Sequence, residues 1–166
     1  MEEIFERRSI RKYKEKKVEL EKIEKLLEAA AAAPSASNKQ PWHFVVIKDR
    51  KRLNQLAEIH PYAKMLKEAP LAIAVCADLN KQRYQGFWVQ DCSAATQNIL
   101  LEAVSLELGA VWIGCHPVEN REKAVSEYLE VPDDFKTLSL ISIGYPAEEK
   151  GRRDRLSEDI IHYEKW

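Results

Sequence analysis

Apolar residues recur at helical spacing in several segments of the chain. Leu20, Ile23, Leu26, Leu27 and Ala30 predict a helix with one buried face, which has to end before Pro34. Apolar residues of the longest segment, 87–108, spread over more than one face, which is typical of a central helix or one shared with a partner chain. The pattern predicts further helices over 50–59 and 121–129.

Short runs rich in aliphatic residues alternate with these helices and predict four strands. They cover residues 43–47, 71–77, 110–114 and 138–144. After residue 144 the composition becomes charged, so an extended tail is predicted from about 147 to 166, which docks through its aromatic residues across a subunit boundary. With 166 residues, the chain is predicted to form one α+β domain over 1–166.

Charge and hydropathy exclude some classes of partner. The 26 basic and 27 acidic side chains nearly cancel, so we expect no global field that would recruit nucleic acid or an anionic membrane. No stretch approaches the ~20 apolar residues of a membrane span, and the first residues lack the layout of a signal peptide. The sequence therefore favours a cytoplasmic protein.

Cysteine and histidine give little support to metal or nucleophilic chemistry. Cys76, Cys92 and Cys115 lie in apolar runs without a CxxC pair, which predicts buried, reduced thiols. The four histidines lack metal-ligand spacing, so no metal is expected. Cys115 and His116 are a weak nucleophile and base pair, because adjacent residues rarely face one another.

The five glycines form neither a Rossmann fingerprint nor a P-loop, so a bound nucleotide would be held by side chains. Candidates for that role lie at both ends of the chain: Arg7, Arg8, Ser9 and Arg11 near the start, and the segment 152–155, Arg-Arg-Asp-Arg, near the end. Arginine forks suit a dianionic phosphate. The alternative is a solvated basic face, since lysines at 12, 14, 16 and 17 continue the positive run.

A loop between Pro34 and Pro41 is the second candidate. Its small polar residues and free backbone amides can approach a planar ring, and the amides of Asn38 and Gln40 can hydrogen-bond the edge of a heterocycle. The alternative is a plain helix-to-strand connection in which Trp42 only packs.

Four motifs, in this order, resemble the FMN-dependent nitroreductase family, of which the chain would be a short, single-domain member. They are Arg-Arg-Ser-Ile-Arg-Lys-Tyr, Pro-Ser-Ala-Ser-Asn-Lys-Gln-Pro-Trp-His-Phe, Gly-Ala-Val-Trp-Ile-Gly, and Ile-Ser-Ile-Gly-Tyr-Pro-Ala followed by spaced basic residues. The similarity extends from about residue 4 to residue 155, and Asn-x-Gln-Pro-Trp-x-Phe is its most distinctive part.

The resemblance implies a three-layer α+β fold: a central mixed sheet of four or five strands flanked by helices, in a domain-exchanging homodimer with FMN at the subunit interface. Arg7, Arg8, Ser9 and Arg11 would hold the phosphate and ribityl chain, and Arg153 with Arg155 would complete the clamp, although Lys150 or Arg152 would also satisfy the motif. The residues implied at the flavin ring are Pro34, Ser35, Ala36, Asn38 and Gln40 from the other subunit, Lys64, and Trp112, Ile113 and Gly114 on the opposite side.

The implied reaction is hydride transfer from NADH or NADPH, by way of the flavin N5, to a small electron-poor acceptor such as a nitroaromatic or quinone, with ping-pong kinetics. No side chain is assigned as catalytic, because water can supply the protons. Two alternatives keep the flavin: dehalogenation or flavin fragmentation, and a non-catalytic FMN sensor. Tyr84, Phe87 and Trp88 either border the pocket or pack in the dimer core.

Overall fold

Helices cover both faces of a four-stranded sheet, which confirms the predicted three-layer α+β architecture. The computed structural model describes residues 2–166. Its helices are α1 (Glu3–Glu6), α2 (Leu20–Ala31), α3 (Arg50–Ile59), α4 (Phe87–Ser105) and α5 (Glu119–Tyr128), and its strands are β1 (Trp42–Ile47), β2 (Leu71–Asp78), β3 (Gly109–Gly114) and β4 (Phe135–Gly144).

The strand order is β1-β2-β4-β3, and every neighbouring pair is antiparallel. Four strands were predicted, but as part of a mixed sheet. The difference arises from the path of the chain: α4 carries it from β2 past one strand position to β3, and β4 then returns between them. Because β2 and β3 both run antiparallel to β4, they are parallel to each other without touching. Among residues 2–166, parallel pairing is confined to an isolated bridge between Ser9 and Ala110.

The core consists of two apolar clusters, one on each face of the sheet. Helices α2 and α4 cover the first, which includes Leu26 and Ile99, and α3 and α5 cover the second, which includes Leu53 and Val125. Strand β4 contributes to both clusters, because successive side chains of a strand point to opposite faces: Leu140 lies in the second cluster and Ile141 in the first.

The three cysteines are buried free thiols, as predicted. Burial raises the pKa of both Cys92 and Cys115 to about 12. A thiol with such a pKa carries almost no thiolate near neutrality, so Cys115 is not an activated nucleophile.

The N-terminal segment after α1 lies along the outer edge of β3, and small residues permit this close packing. A Cβ on Gly109 would come within 2.6 Å of the Ile10 side chain. A Cβ on Gly144 would come within 2.6 Å of Pro70 and 2.9 Å of Tyr13. The segment therefore depends on glycine at both positions.

The last residues, 151–166, are exposed along their whole length and form only a short 3-10 turn, Glu158–Ile160. Five large apolar side chains of this tail are exposed to solvent: Leu156, Ile160, Ile161, Tyr163 and Trp166. Within residues 2–166, no helix combines the length and apolar character needed to cross a bilayer.

Candidate functional site

The two ends of the chain meet beside β3. The Lys150 ammonium donates to the backbone oxygen of Ser9 at 2.6 Å and to the Glu148 carboxylate at 3.0 Å. The same carboxylate accepts from the backbone N–H of Arg11 at 2.6 Å. Arg8 donates to the backbone oxygen of Gly151. These contacts join the two arginine-bearing segments, and the Lys150 ammonium group is used to hold them together.

A cavity of about 260 Å³, here called the anion cavity, opens between the joined segments. Its charged lining consists of one carboxylate, Asp154, and five guanidinium groups: Arg7, Arg8, Arg152, Arg153 and Arg155. Arg152 also stacks over the Phe5 ring, 4.2 Å from its centroid. Desolvation first, and then the positive charges of Arg153, Arg155 and Arg7, lower the pKa of Arg8. The arginines repel one another, so a bound anion would stabilise this arrangement.

A larger cavity of about 730 Å³, here called the ring cavity, lies at the C-terminal end of β3. Trp112, Ile113 and Gly114 line it, as does Lys64. Arg11 also lines this cavity and not the anion cavity. The sequence analysis grouped Arg11 with the phosphate ligands. In the structure, Arg8 lines the anion cavity, whereas Arg11 lines the ring cavity.

The electrostatic character of the ring cavity is positive. Arg11, Lys64 and Arg121 line it, and no carboxylate is present among the described residues of its wall. The Arg121 guanidinium lies 4.8 Å from the centroid of the Tyr62 ring, on the same wall. A planar anion or a ring that gains negative charge therefore fits this cavity better than a cation.

Gly114 leaves open space at the cavity wall. A Cβ added there would meet nothing nearer than the backbone oxygen of His116, at 3.9 Å, so it would project into the cavity. Its backbone is held from behind by His60, whose Nε2 lies 3.0 Å from the Gly114 oxygen. His60 Nδ1 accepts from the Tyr62 backbone N–H at 3.2 Å. This pair of contacts fixes a neutral His60 that donates from Nε2.

His116 lies where the ring cavity meets a neighbouring groove. Its Nδ1 lies 2.7 Å from Oε2 of the buried Glu122, and Lys136 binds the other oxygen of that carboxylate at 2.9 Å. The Trp88 ring packs edge-on against the imidazole, with centroids 4.6 Å apart. Sequence reasoning missed this arrangement, because the spacing of His116 and Glu122 matches neither a helical pair nor a known motif.

The loop after α2 has an unusual backbone. Ser37, Asn38 and Gln40 all have φ near +50°, a region that residues other than glycine rarely adopt. The Gln40 side chain donates to Asn38 Oδ1 and its backbone N–H donates to Ser35 Oγ, both at 2.9 Å. Strained backbone of this kind clusters at ligand clamps and active sites.

One end of this loop is attached to α4. The backbone N–H of Ala36 donates to Asp91 Oδ1 at 2.9 Å, while the other oxygen of the buried Asp91 carboxylate has no hydrogen-bond partner. Within the described chain, Pro34, Ser35, Ala36, Asn38 and Gln40 line neither the anion cavity nor the ring cavity. The protomer thus does not bring this loop to the other predicted site residues.

Three aromatic residues at or near the start of α4 differ in burial within the protomer. Trp88 is buried in the cluster under α4, whereas Tyr84 and Phe87 are exposed and contact each other, with centroids 5.6 Å apart. None of the three lines the ring cavity. Among residues 2–166, no group of three or more potential ligands is arranged to hold a metal ion.

Comparison with known proteins identifies the family. The sequence model of the nitroreductase family matches residues 4–63 and 60–145. A protein of Methanothermobacter thermautotrophicus, provisionally named NADH dehydrogenase/NAD(P)H nitroreductase, is 49% identical over 166 residues, which are all of this chain and 87% of that protein. The chain therefore belongs to the nitroreductase family.

Solved structures share the whole fold. One from Clostridium acetobutylicum, provisionally named NADH oxidase, is 50% identical with a TM-score of 0.95, and the match covers 99% of both chains. A nitroreductase from Desulfovibrio desulfuricans, also provisionally named, was solved in complex with FMN. It is 31% identical with a TM-score of 0.86, and the match covers 99% of this chain and 96% of that one.

Proposed function

We propose that the chain is an FMN-dependent oxidoreductase that passes electrons from NADH or NADPH to a small, electron-poor acceptor. The observation that carries this proposal is the pairing of a five-arginine cavity with a wider, positive cavity along one N-terminal segment. A mononucleotide has the same two parts: a compact dianion and a planar ring. The membership of this chain in the nitroreductase family and the FMN complex of a relative support the same assignment.

The residues present fit FMN in three respects. Arg7, Arg8, Arg153 and Arg155 would hold the phosphate, since guanidinium forks bind such oxygens in pairs. Arg152 joins them as a candidate that the motif alone left open. The ring would lie along Trp112, Ile113 and Gly114, where the missing Cβ leaves room for close approach of the backbone. Ser9 would face the ribityl chain between them.

FMN, when bound, supplies reversible two-electron chemistry at its ring. What the chain adds is electrostatic: the Arg11 guanidinium in the ring cavity, assisted by Lys64, would stabilise negative charge that develops on the reduced ring. This role for Arg11 replaces the phosphate contact that the motif suggested. A donor and an acceptor that use the same open cavity in turn would give ping-pong kinetics.

We further propose a homodimer in which the loop from Pro34 to Gln40 completes the ring cavity of the partner subunit. In the protomer this loop is strained, polar and remote from both cavities. The exposed apolar residues of the tail, among them Leu156 and Trp166, give a second reason, since a second copy would cover them. Such an exchange would make FMN binding depend on dimerisation.

The test is an absorbance spectrum of the purified protein, repeated without oxygen after addition of NADH or NADPH. We expect flavin bands that bleach on addition of nicotinamide and return with a quinone or nitroaromatic compound. A colourless protein that takes up no FMN would overturn the proposal. Bound FMN that nicotinamide does not bleach would indicate a sensor instead, and bleached flavin that only halogenated acceptors reoxidise would indicate dehalogenation. Flavin retained by a dilution-generated monomer would overturn the shared site.

A further inference from the structure

His116 and Glu122 form a polar pair that the proposed function does not use. The pair lies at the edge of the ring cavity, at the turn between β3 and α5. Glu122 is buried although it is an acid, and both of its oxygens are engaged, one by His116 and one by Lys136. Buried carboxylates are rare unless they are paired, so this arrangement holds the imidazole in a fixed orientation.

The hydrogen-bond geometry defines which nitrogen is free. A carboxylate only accepts, so His116 Nδ1 carries the hydrogen that faces Glu122 Oε2, 2.7 Å away. Nε2 lies on the opposite side of the imidazole. His116 lines both the ring cavity and the neighbouring groove, whereas Glu122 lines only the groove, so the nitrogen that Glu122 leaves free is the one available to the ring cavity.

Resting on the proposed function, we propose that His116 is the proton donor to the electron acceptor and that Glu122 is its positioning residue. Two-electron reduction of a quinone adds one hydride and one proton. The hydride originates from NAD(P)H. The His116 imidazolium breaks its Nε2–H bond as the new O–H bond forms on the acceptor, and the neutral imidazole then regains a proton from water.

Several charged groups act on this imidazole. The carboxylate of Glu122 contacts Nδ1 directly, and Glu119 of the same helix lines the neighbouring groove. Lys136 from β4 binds the other oxygen of Glu122, and Arg121 from α5 lines the ring cavity. Helix α4 contributes the uncharged Trp88. The carboxylate in direct contact is the nearest of these, so its removal has the largest expected effect.

The experiment compares two acceptors on the FMN-loaded protein. Menadione takes up a proton on two-electron reduction, whereas ferricyanide takes up an electron and no proton. The ratio of the two oxidation rates of the prereduced protein therefore isolates proton delivery from electron delivery. We expect His116→Gln to lower the menadione-to-ferricyanide ratio by roughly 10²-fold, the lower range for a positioned acid. His43→Gln, at an exposed position on β1, is the matched control.

A second readout does not depend on turnover. The His116 imidazole proton resonance, assigned by its absence in His116→Gln, should shift when menadione is added to the oxidised protein. Glu122→Gln keeps the side-chain shape but removes the carboxylate that holds Nδ1, so it should also lower the menadione-to-ferricyanide ratio, by less than His116→Gln. This variant also keeps the inference testable if His116→Gln fails to fold.

Two results would overturn the proton-donor role. One is an unchanged rate ratio in His116→Gln, which includes equal slowing with both acceptors, as expected for a purely structural residue. The other is a His116 resonance that does not respond to menadione. Bleaching of the flavin by NADH or NADPH is recorded in every sample. If the unmodified protein does not bleach, the proposed function itself fails and the inference fails with it, which separates the two outcomes.

Discussion

His60 and Gly114, 54 positions apart in sequence, are joined by a 3.0 Å contact between His60 Nε2 and the Gly114 backbone oxygen. The histidine follows α3, and the glycine ends β3 at the wall of the ring cavity. His60 is only 1% exposed, so it connects the second core cluster directly to the cavity wall. The position of the Gly114 backbone thus depends on a buried residue of the same cavity wall.

Replacement of His60 separates its hydrogen bonds from its packing. His60→Leu keeps apolar volume but removes the bonds to Gly114 and Tyr62, and we expect a loss of about 1–3 kcal/mol in the free energy of unfolding. His60→Gln can still donate to the Gly114 oxygen and should lose less. Chemical denaturation followed by circular dichroism measures both. Equal stability of the Leu variant and the natural protein would contradict the role of these bonds.

His60 also predicts how stability depends on pH. Burial lowers its pKa, an effect that Arg121 adds to and the contact with Gly114 opposes. A histidine whose folded-state pKa is depressed binds protons more readily in the unfolded chain, so its contribution is complete above the unfolded value of about 6.5. This contribution of His60 to stability is lost as the pH falls from about 6.5 through the pKa of His60 in the folded protein. The loss is at most about 1.4 kcal/mol per pH unit.

Thermal unfolding between pH 7.5 and 5 checks this sign. The natural protein should lose more stability over that range than His60→Gln, because glutamine does not titrate. An equal loss of stability in both proteins would show that groups other than His60 control the destabilisation at acid pH. His43→Gln is the control, since His43 is exposed on β1.

The anion cavity predicts an ordered series of FMN affinities. Arg8→Lys keeps the charge but loses the planar fork, and Arg8→Ala loses both, so affinity should fall in that order, by roughly tenfold or more for alanine. Rising ionic strength should weaken FMN binding less in the alanine variant than in the natural protein. Flavin fluorescence titration measures the affinities.

Arg83→Ala is the matched control, because Arg83 lies near Tyr84 and outside the anion cavity. An equal loss of affinity in Arg83→Ala would mean that overall charge, and not the cavity, determines binding. The repulsion around Arg8 adds a further expectation: the protein without FMN should unfold at a slightly higher temperature after Arg153→Ala. A lower temperature would contradict the view that the cluster is strained without its anion.

Asp91 links the strained loop to the core. Asp91→Ala leaves the Ala36 backbone N–H without its acceptor and should lower the free energy of unfolding by about 1–3 kcal/mol. Asp91→Asn retains an acceptor oxygen and removes a buried charge whose second oxygen is unpartnered, so it should be less destabilising. Denaturant unfolding compares them. If Asp91→Asn were less stable to denaturant than Asp91→Ala, the result would indicate that Asp91 Oδ2 has a charge-dependent partner in the homodimer.

Local pattern was sufficient for the secondary structure but not for the site. The segment 50–59 was predicted with the bounds that α3 has, because its apolar spacing is a property of adjacent residues. The long helix was predicted to reach residue 108 but ends at Ser105, with Glu107 in a left-handed conformation before β3. Antiparallel pairing depends on where β4 inserts, and no local pattern encodes that.

Contacts between distant residues explain what the sequence missed. His60 and His116 are isolated in the sequence, and their partners Gly114 and Glu122 become meaningful only when α3, β3 and α5 are assembled. A signal did exist for Asp91, which is a single acid within the apolar face of α4. Arg11 was grouped with its neighbours by proximity in sequence, whereas the extended backbone there sends successive side chains to different cavities.

A pair of glycine substitutions distinguishes a glycine needed for the cofactor from one needed for the fold. At Gly114 an added methyl group would meet nothing nearer than 3.9 Å and would project into the ring cavity. Gly114→Ala should therefore change the free energy of unfolding of the FMN-free protein by no more than about 0.5 kcal/mol. It should nevertheless weaken FMN binding, because the methyl group occupies the space that the ring would need.

Gly144→Ala should show the opposite behaviour. Its methyl group would lie 2.6 Å from Pro70 and 2.9 Å from Tyr13, which are buried or partly buried behind β4. Overpacking of this kind destabilises by about 1–3 kcal/mol, with FMN affinity lost only as far as the fold is lost. Denaturant unfolding without FMN and flavin titration of the folded protein separate the two effects. Normal FMN affinity in Gly114→Ala would remove the end of β3 from the proposed ring site, whatever the outcome at Gly144.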